Sequence, residues 1–302
     1  MPVNQRRILI FGAGVIGSAY AIKFMEAGID VTVLARAERF KALKETGLQF
    51  AEKGAVKSLK VNVIDTLENG DIYDFIFVTV RYDQSESALL ALKDNQSKSI
   101  VTMTNNSMGF SAWTDIVGDR LLPAFPGVGG QIKNGILYAR FPPKALHGAI
   151  LGEISGLVTE RIESLVKLFE SAKLACRINK DMSAYLITHS VSDIAMLSCL
   201  HSENRIADEK TVKTRETARK ITLTMKTYLK AIQKAGVAIN PSSFKIALIC
   251  PNFIMDSLLM LWLRTEMVKD MLLPDYANNA IKECAQLNHD LLKFLSRNGV
   301  GL

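Results

Sequence analysis

Apolar and polar positions follow two different rhythms along this chain. In the first half, short apolar runs of strand length alternate with stretches of helical spacing. Arg7 to Phe11 is one such run and ends at a glycine; Val15 to Ala27 follows with helical spacing and is stopped by Gly28. Val31 to Leu34 reads as a second strand and Glu38 to Thr46 as a helix stopped by Gly47. Phe75 to Val80 and Ile100 to Met103 read as two more strands. Runs that are apolar throughout belong to strands buried on both faces, and strands alternating with helices imply parallel βαβ units.

Between Leu121 and Gly152 the texture changes. Short apolar runs are separated by Pro126, Gly127, Gly129, Gly130, Gly135 and Pro142-Pro143, which predicts turns and strands that extend the sheet. Ile162, Leu165, Val166 and Phe169 then mark one helix stripe. From about residue 180 the pattern is helical. Ile221, Met225, Tyr228, Leu229 and Ile232 line one face of a helix, with Lys220, Lys226, Lys230 and Lys234 opposite. Ile246 to Leu263 is the most apolar stretch; Pro251, Asn252 and Asp256 interrupt it, so it predicts a buried helix near a domain interface and no membrane span. The boundary falls near residue 178. The expected architecture is α/β: an N-terminal doubly wound parallel sheet of the Rossmann type over 1–178, and an all-α domain for substrate and dimerisation over 179–302.

Composition narrows the classes. A chain of 302 residues is long for one core, and 48% hydrophobic with 22% charged residues argues against disorder. The net charge of +7 mildly favours anionic ligands. The densest basic stretch, Arg205 to Lys220, also holds Asp208, Glu209 and Glu216 and no interleaved aromatic residue, so it reads as a solvated helix face and nucleic acid is set aside as a partner. Cys176, Cys199, Cys250 and Cys284 are scattered without a C-x-x-C pair; they read as reduced thiols of a cytoplasmic protein, with no metal site. The N-terminus runs straight into a strand pattern and lacks a signal-peptide layout.

The chemistry begins at residues 8–17, ILIFGAGVIG. Gly12, Ala13, Gly14, Val15, Ile16 and Gly17 form a G-x-G-x-x-G turn directly after a strand and at the start of a helix. The first glycine permits the tight turn, the second lets backbone approach a pyrophosphate, and the third lets helix pack on strand. The helix N-terminus offers free N–H groups and partial positive charge to the phosphates. At the end of the second strand an NAD enzyme usually carries Asp or Glu, which binds the ribose hydroxyls. This chain has Leu34-Ala35-Arg36 there, with Asp30 before the strand and Glu38 inside the next helix. Arg36 suits a 2′-phosphate, with Arg39 assisting, so the expected cofactor is NADP(H); a plain surface arginine is the competing reading.

The turn and the following DVTVLARAERFKALKETGL resemble the N-terminal domain of the ketopantoate reductase (2-dehydropantoate 2-reductase) family. Thr79-Val80-Arg81-Tyr82-Asp83-Gln84 looks like that family's T-V-K-x-x-Q segment, and Asn106-Ser107-Met108-Gly109 like its N-G-M-G turn. Gly127 to Gly135 falls where the family has a small-residue loop closing over the nicotinamide side. The resemblance covers roughly residues 7 to 178. It implies that Arg81 stands where the family has a lysine near cofactor and substrate. It implies that Asn106 contacts the nicotinamide ribose and substrate, and that Gly130 contacts the cofactor. Read on its own, Asn106 is a polar amide in a loop after a strand, at the sheet edge where ligands sit, or simply a turn-former.

The family's proton donor is a lysine in a W-x-K-L-x-x-N pattern. The corresponding stretch, Asp181 to Asp193, has no lysine after Lys180 and places His189 on that lysine and Asp193 on the asparagine. Imidazole titrates near neutrality, and Asp193 lies one helical turn later on the same face, able to orient the ring. A histidine bonded inside a helix bundle is the competing reading. The family's late segment, S-S-M-x-x-D followed by T-E, is not preserved by Ser242-Ser243 and Thr265-Glu266. The leading expectation is an NADPH-dependent reductase of a small carbonyl substrate, with catalytic His189, Asn106, Arg81 and Asp193. The alternatives are a degenerate NADPH-binding sensor and a hydroxy-acid or amino-acid-type dehydrogenase. Phe253 to Leu263 allows a homodimer, or an intrachain core.

Overall fold

The computed structural model describes residues 6–141, 148–202, 205–206, 214–265, 268 and 281–302. Pro142-Pro143, Glu266, and Asp208 and Glu209 of the basic stretch lie outside these residues, as does the side chain of Cys199. The chain divides into two compact units: Met1–Thr104 with Phe110–Met182, and Asn105–Gly109 with Ser183–Leu302.

The first unit is built on an eight-stranded sheet. Strands β1 (Arg7–Phe11), β2 (Asp30–Leu34), β5 (Asn62–Ile64), β6 (Phe75–Val78), β7 (Ile100–Met103) and β8 (Leu121–Phe125) are all parallel, in the order β5-β2-β1-β6-β7-β8. The order reverses beside β1, the arrangement of a doubly wound dinucleotide-binding sheet with its crevice at the carboxyl ends of the strands. Strand β11 (Ala149–Leu151), antiparallel to β8, extends the far edge, as the texture between Leu121 and Gly152 predicts, and β12 (Cys176–Ile178) is added beyond it. All four residues of β6 and all four of β7 are buried, which is why they read as unbroken apolar runs.

Helix α1 (Val15–Glu26) packs on the sheet through Tyr20 and Phe24, which meet Phe77 and Phe169 in an aromatic cluster. Phe169 belongs to α5 (Glu160–Ser171), whose N-cap Thr159 accepts the backbone N–H of Ile162. The other helices of this unit are α2 (Ala37–Thr46), α3 (Tyr82–Ala91) and α4 (Ser111–Val117). A second sheet goes beyond the sequence expectation. Strands β3 (Leu48–Glu52), β4 (Ala55–Leu59), β9 (Gly129–Lys133) and β10 (Ile136–Arg140) pair in the order β4-β3-β10-β9. Gly129 to Arg140 therefore form a hairpin of this sheet and do not extend the main one.

The second unit is helical, with a short ribbon of β13 (His201–Ser202) and β14 (Arg205–Ile206). Its helices are α6 (Met182–Leu200), α7 (Arg215–Lys234), α8 (Ser243–Ile249), α9 (Asn252–Leu263) and α10 (Ile281–Arg297). Ile221, Met225, Leu229 and Ile232 form the buried face of α7, as their spacing predicts. Lys226, on the polar side, bends to donate to the carbonyl of Cys250 and to Asn252 Oδ1. The expected single buried helix over Ile246 to Leu263 is corrected in two ways. Pro251 divides it, since the residue before a proline is pushed to extended backbone and Cys250 sits at φ −64°, ψ 133°. One face of the pair is also exposed, with Ile249 81%, Phe253 62% and Leu261 61% accessible. Among the described residues no helix is long and apolar enough to cross a membrane.

Candidate functional site

The glycine turn joins β1 to α1, and three side chains clamp it. Thr79 at the end of β6 donates its hydroxyl to the Gly12 carbonyl at 2.8 Å. Ser18 in α1 donates to the Ala13 carbonyl at 3.2 Å. Arg39 of α2 donates to the same carbonyl at 3.2 Å, to Ser18 Oγ at 3.2 Å and to Gly135 O at 3.5 Å. Arg39 therefore points back onto the turn, and burial lowers the pKa of its guanidinium. The expectation that it assists a 2′-phosphate is replaced by this role: it ties the turn to the β9–β10 hairpin. Sequence reasoning missed these roles for Arg39, Ser18 and Thr79; the Thr79 segment was singled out only by likeness.

The three motif glycines have different physical reasons. Gly12 lies at φ 114°, where a side chain is strained. A Cβ on Gly17 would sit 2.0 Å from the Gly12 carbonyl oxygen and 2.4 Å from Thr79 Oγ1. Gly14 is unlike both. Its φ is −74° and a Cβ there would meet nothing within 4 Å, so neither backbone nor packing within the protein requires glycine. It is also the N-cap of α1, which has no side-chain cap bond and no acidic residue in its first turn. Val15 and Ile16 open that first turn. The space above Gly14 and the uncapped amides fit the pyrophosphate of a dinucleotide.

Arg36 caps α2 just past β2; its carbonyl accepts the Phe40 N–H at 3.3 Å, and its exposed side chain makes no hydrogen bond or ion pair among the described residues. Ala37 beside it has φ 49°, an uncommon left-handed conformation for alanine that turns the chain sharply into α2. Asp30 is at the opposite end of β2, 3.7 Å from Arg7. The guanidinium of Arg81, the N-cap of α3, lies against Asp83 at 3.2 Å and 3.4 Å. Gly130 is demanded by the hairpin itself, since a Cβ there would lie 2.0 Å from the Tyr138 carbonyl oxygen. Its glycine is explained without a cofactor.

A second group gathers in the helical unit. The segment Asn105–Gly109 leaves β7 and packs with this unit, where Ser107 Oγ donates to the Leu287 carbonyl at 3.1 Å. Asn106 is 2% exposed, and its Oδ1 accepts the Met108 N–H at 2.9 Å, so it does shape the turn. On α6, His189 Nδ1 lies 3.5 Å from Asp193 Oδ2, and the Tyr185 ring stacks on the imidazole with centroids 6.0 Å apart. Asn105 Nδ2 donates to the same Asp193 oxygen at 2.8 Å. The Asn-Asn pair at 105 and 106 is the only sequence hint of that contact. Burial, with the Asp193 carboxylate adding in the same direction, pushes the Tyr185 phenol and the Cys284 thiol each up to about 12. Both stay protonated and neutral at ordinary pH. Among the described residues no group of three His, Cys, Asp or Glu side chains is placed to hold a metal.

Comparison with known proteins places this geometry. Residues 8–118 match the family model described as ketopantoate reductase PanE/ApbA. No curated protein matches the chain. Among solved structures, 2-dehydropantoate 2-reductase from Geobacter metallireducens GS-15 is 20% identical, with a TM-score of 0.70 over 98% of this chain and 95% of that one. PanE/ApbA family ketopantoate reductase from Ralstonia eutropha JMP134 is 16% identical, with a TM-score of 0.68 over 97% and 91%. A D-mandelate dehydrogenase in complex with NADH is 16% identical, with a TM-score of 0.68 over 98% and 93%. Residues 8–118 are thus a domain of the ketopantoate reductase PanE/ApbA type, in a chain that shares the fold of these proteins from end to end.

Proposed function

We propose that the chain is an NADPH-dependent reductase of a small carbonyl compound, with 2-oxo acids as the substrate class. The observation that carries the reading is the cradle at Gly14, where glycine is required only if a ligand occupies the space beside it. Arg36 supports NADPH over NADH, because an exposed guanidinium at the end of β2 forms charge-assisted bonds to a phosphate and repels nothing on it. The bound nicotinamide supplies hydride to the carbonyl carbon. His189 supplies the proton to the carbonyl oxygen, with the Asp193 carboxylate beside its ring to orient it. Asn106 and Arg81 orient substrate and cofactor.

Steady-state oxidation of NADPH against a panel of 2-oxo acids, followed at its near-ultraviolet absorbance, tests the reading. Turnover with one acid is expected, together with a loss of roughly 10²- to 10⁴-fold in His189→Ala, the range a positioned general acid supplies. NADPH should still raise the melting temperature of that variant. Binding without turnover across the panel would make the chain an NADPH sensor. Because D-mandelate dehydrogenase shares the fold, 2-hydroxy acids with NADP are assayed in the reverse direction too.

The exposed apolar face of α8 and α9 supports self-association. Ile246, Ile249, Phe253, Leu258 and Leu261 share it, and the single acid of α9, Asp256, is buried. An exposed apolar patch marks an interaction surface, and a two-fold axis would pair it with its own copy. Sedimentation velocity is expected to give a dimer, and Phe253→Glu with Leu261→Glu a monomer. A monomeric wild type removes the reading.

A further inference from the structure

We propose that Asn105 is a positioning residue: it fixes the Asp193 carboxylate against Nδ1 of His189, and so assigns proton donation to the Nε2 nitrogen. This rests on the reading of His189 as proton donor. It names a group that neither the glycine motif nor the family match assigns.

The argument starts from Asp193. Its carboxylate, one helical turn after His189, has rotamers that leave the ring, and Oδ2 nonetheless lies 3.5 Å from Nδ1, within ion-pair range though without hydrogen-bond geometry between the two. What holds it there comes from outside the helix. Asn105 is 88 residues away in sequence, and its Nδ2 donates to that same Oδ2 at 2.8 Å. A carboxylate accepts and never donates, so the amide must present its NH₂ side. The consequence is visible at the other end of the group. Asn105 is 9% exposed, and its Oδ1 is buried with no hydrogen-bond partner among the described residues. A buried acceptor left unsatisfied costs stability, and a strong bond on the other side of the amide offsets that cost. A charge-assisted bond to an ionised carboxylate is of that kind. Flipping the amide would set two oxygens face to face.

Among the described residues, Tyr185 stacks on the imidazole, and Asp193 acts on both the Tyr185 phenol and the Cys284 thiol of α10. Both keep their protons through the neutral range. Asp193 is the carboxylate that the structure places beside the ring. In the imidazolium both nitrogens carry protons. As hydride adds to the carbonyl carbon, the carbon–oxygen π pair moves to oxygen; the Nε2–H bond breaks and its proton passes to that oxygen. Nδ1 keeps its proton, facing Asp193. The neutral ring left behind is the Nδ1–H tautomer, the form a fixed Asp193 stabilises.

The tautomer can be read without turnover. Long-range ¹H–¹⁵N spectra at alkaline pH, with His189 assigned by its loss in His189→Gln, report which nitrogen is protonated. The wild type is expected to show Nδ1–H. Asn105→Leu and Asp193→Asn are both expected to shift the ring toward Nε2–H. Two variants are used so that a folding failure in one leaves the other to decide. In assays Asn105→Leu is expected to lower kcat by about tenfold, part of what a general acid supplies, with KM little changed. Persistence of Nδ1–H in both variants, or an Nε2–H wild type, overturns the proposal. Full turnover in His189→Ala overturns the proton-donor reading instead, and leaves the tautomer result to judge whether Asn105 positions the pair.

Discussion

Alanine at Gly14 and alanine at Gly17 should fail in different ways, although both break the same motif. At Gly17 the new Cβ would lie 2.0 Å from the Gly12 carbonyl oxygen, against about 3.3 Å for a normal carbon–oxygen contact. The oxygen belongs to the backbone of a turn that Thr79 also clamps, so α1 must move off β1 by about 1 Å. Overpacking of this kind costs about 1–3 kcal/mol, more than the roughly 1 kcal/mol that alanine gains over glycine inside a helix. At Gly14 the Cβ enters open space at φ −74°, which alanine adopts freely. Folding stability should change by no more than about 0.5 kcal/mol there. The assay is thermal unfolding with and without NADPH. Saturation at about 100 times Kd adds roughly 2.7 kcal/mol to a protein that binds. Wild type should show that gain. Gly14→Ala should melt where wild type melts but lose the gain. Gly17→Ala should melt several degrees lower even without NADPH. If Gly14→Ala keeps its full response to NADPH, the space beside it is not where the pyrophosphate lies. If Gly17→Ala melts like wild type, the contact at 2.0 Å does not constrain the helix.

Arg36→Ala should weaken NADPH binding by about tenfold to a hundredfold, the scale of a charge-assisted phosphate contact, and leave NADH untouched. Equal losses for both cofactors, measured by fluorescence titration, would count against a 2′-phosphate at Arg36. Arg39→Ala should do the opposite: it releases the Ala13 carbonyl and the hairpin, so NADPH and NADH binding weaken together and the cofactor-free protein melts lower. The pH dependence of stability follows from buried acids. Burial pushes the Cys176 thiol up to about 11, and the Cys284 thiol and Tyr185 phenol up to about 12. Their folded pKa values exceed the unfolded ones, so the folded chain keeps protons that the unfolded chain releases. Their contribution is fully present below about pH 9 and is lost as pH rises through about 11 to 12. Urea midpoints should be level from about pH 7 to 9 and fall beyond; a rise there would contradict the assignment.

What could be read from the residues alone was whatever local constraint decides. The turn at Gly12 is legible because one strand end and one helix start impose its spacing, and β6 and β7 are legible because burial on both faces leaves no polar position. The second sheet is not legible in that way. Strand β4 is almost wholly exposed, and β3 meets β10 through Phe50 and Leu137, residues far apart in sequence. Its one local signal was Lys53-Gly54, both at positive φ in the tight β3–β4 turn. The apolar stretch from Ile246 shows the converse limit, since hydrophobicity states that a face needs a partner without stating that the same chain provides it. The candidate proton donor combines both cases. His189 and Asp193 are one turn apart on a helix, so their pairing is readable from spacing. The third member, Asn105, lies beside a residue that likeness had already marked, yet its partner is 88 positions away and its role depends on which end of an amide is starved. That unsatisfied oxygen is the physical sign that the asparagine serves Asp193 rather than its own turn. Asn106, whose oxygen accepts the Met108 N–H, is the residue that builds the turn. Two adjacent asparagines thus divide two tasks, turn formation at Asn106 and carboxylate positioning at Asn105.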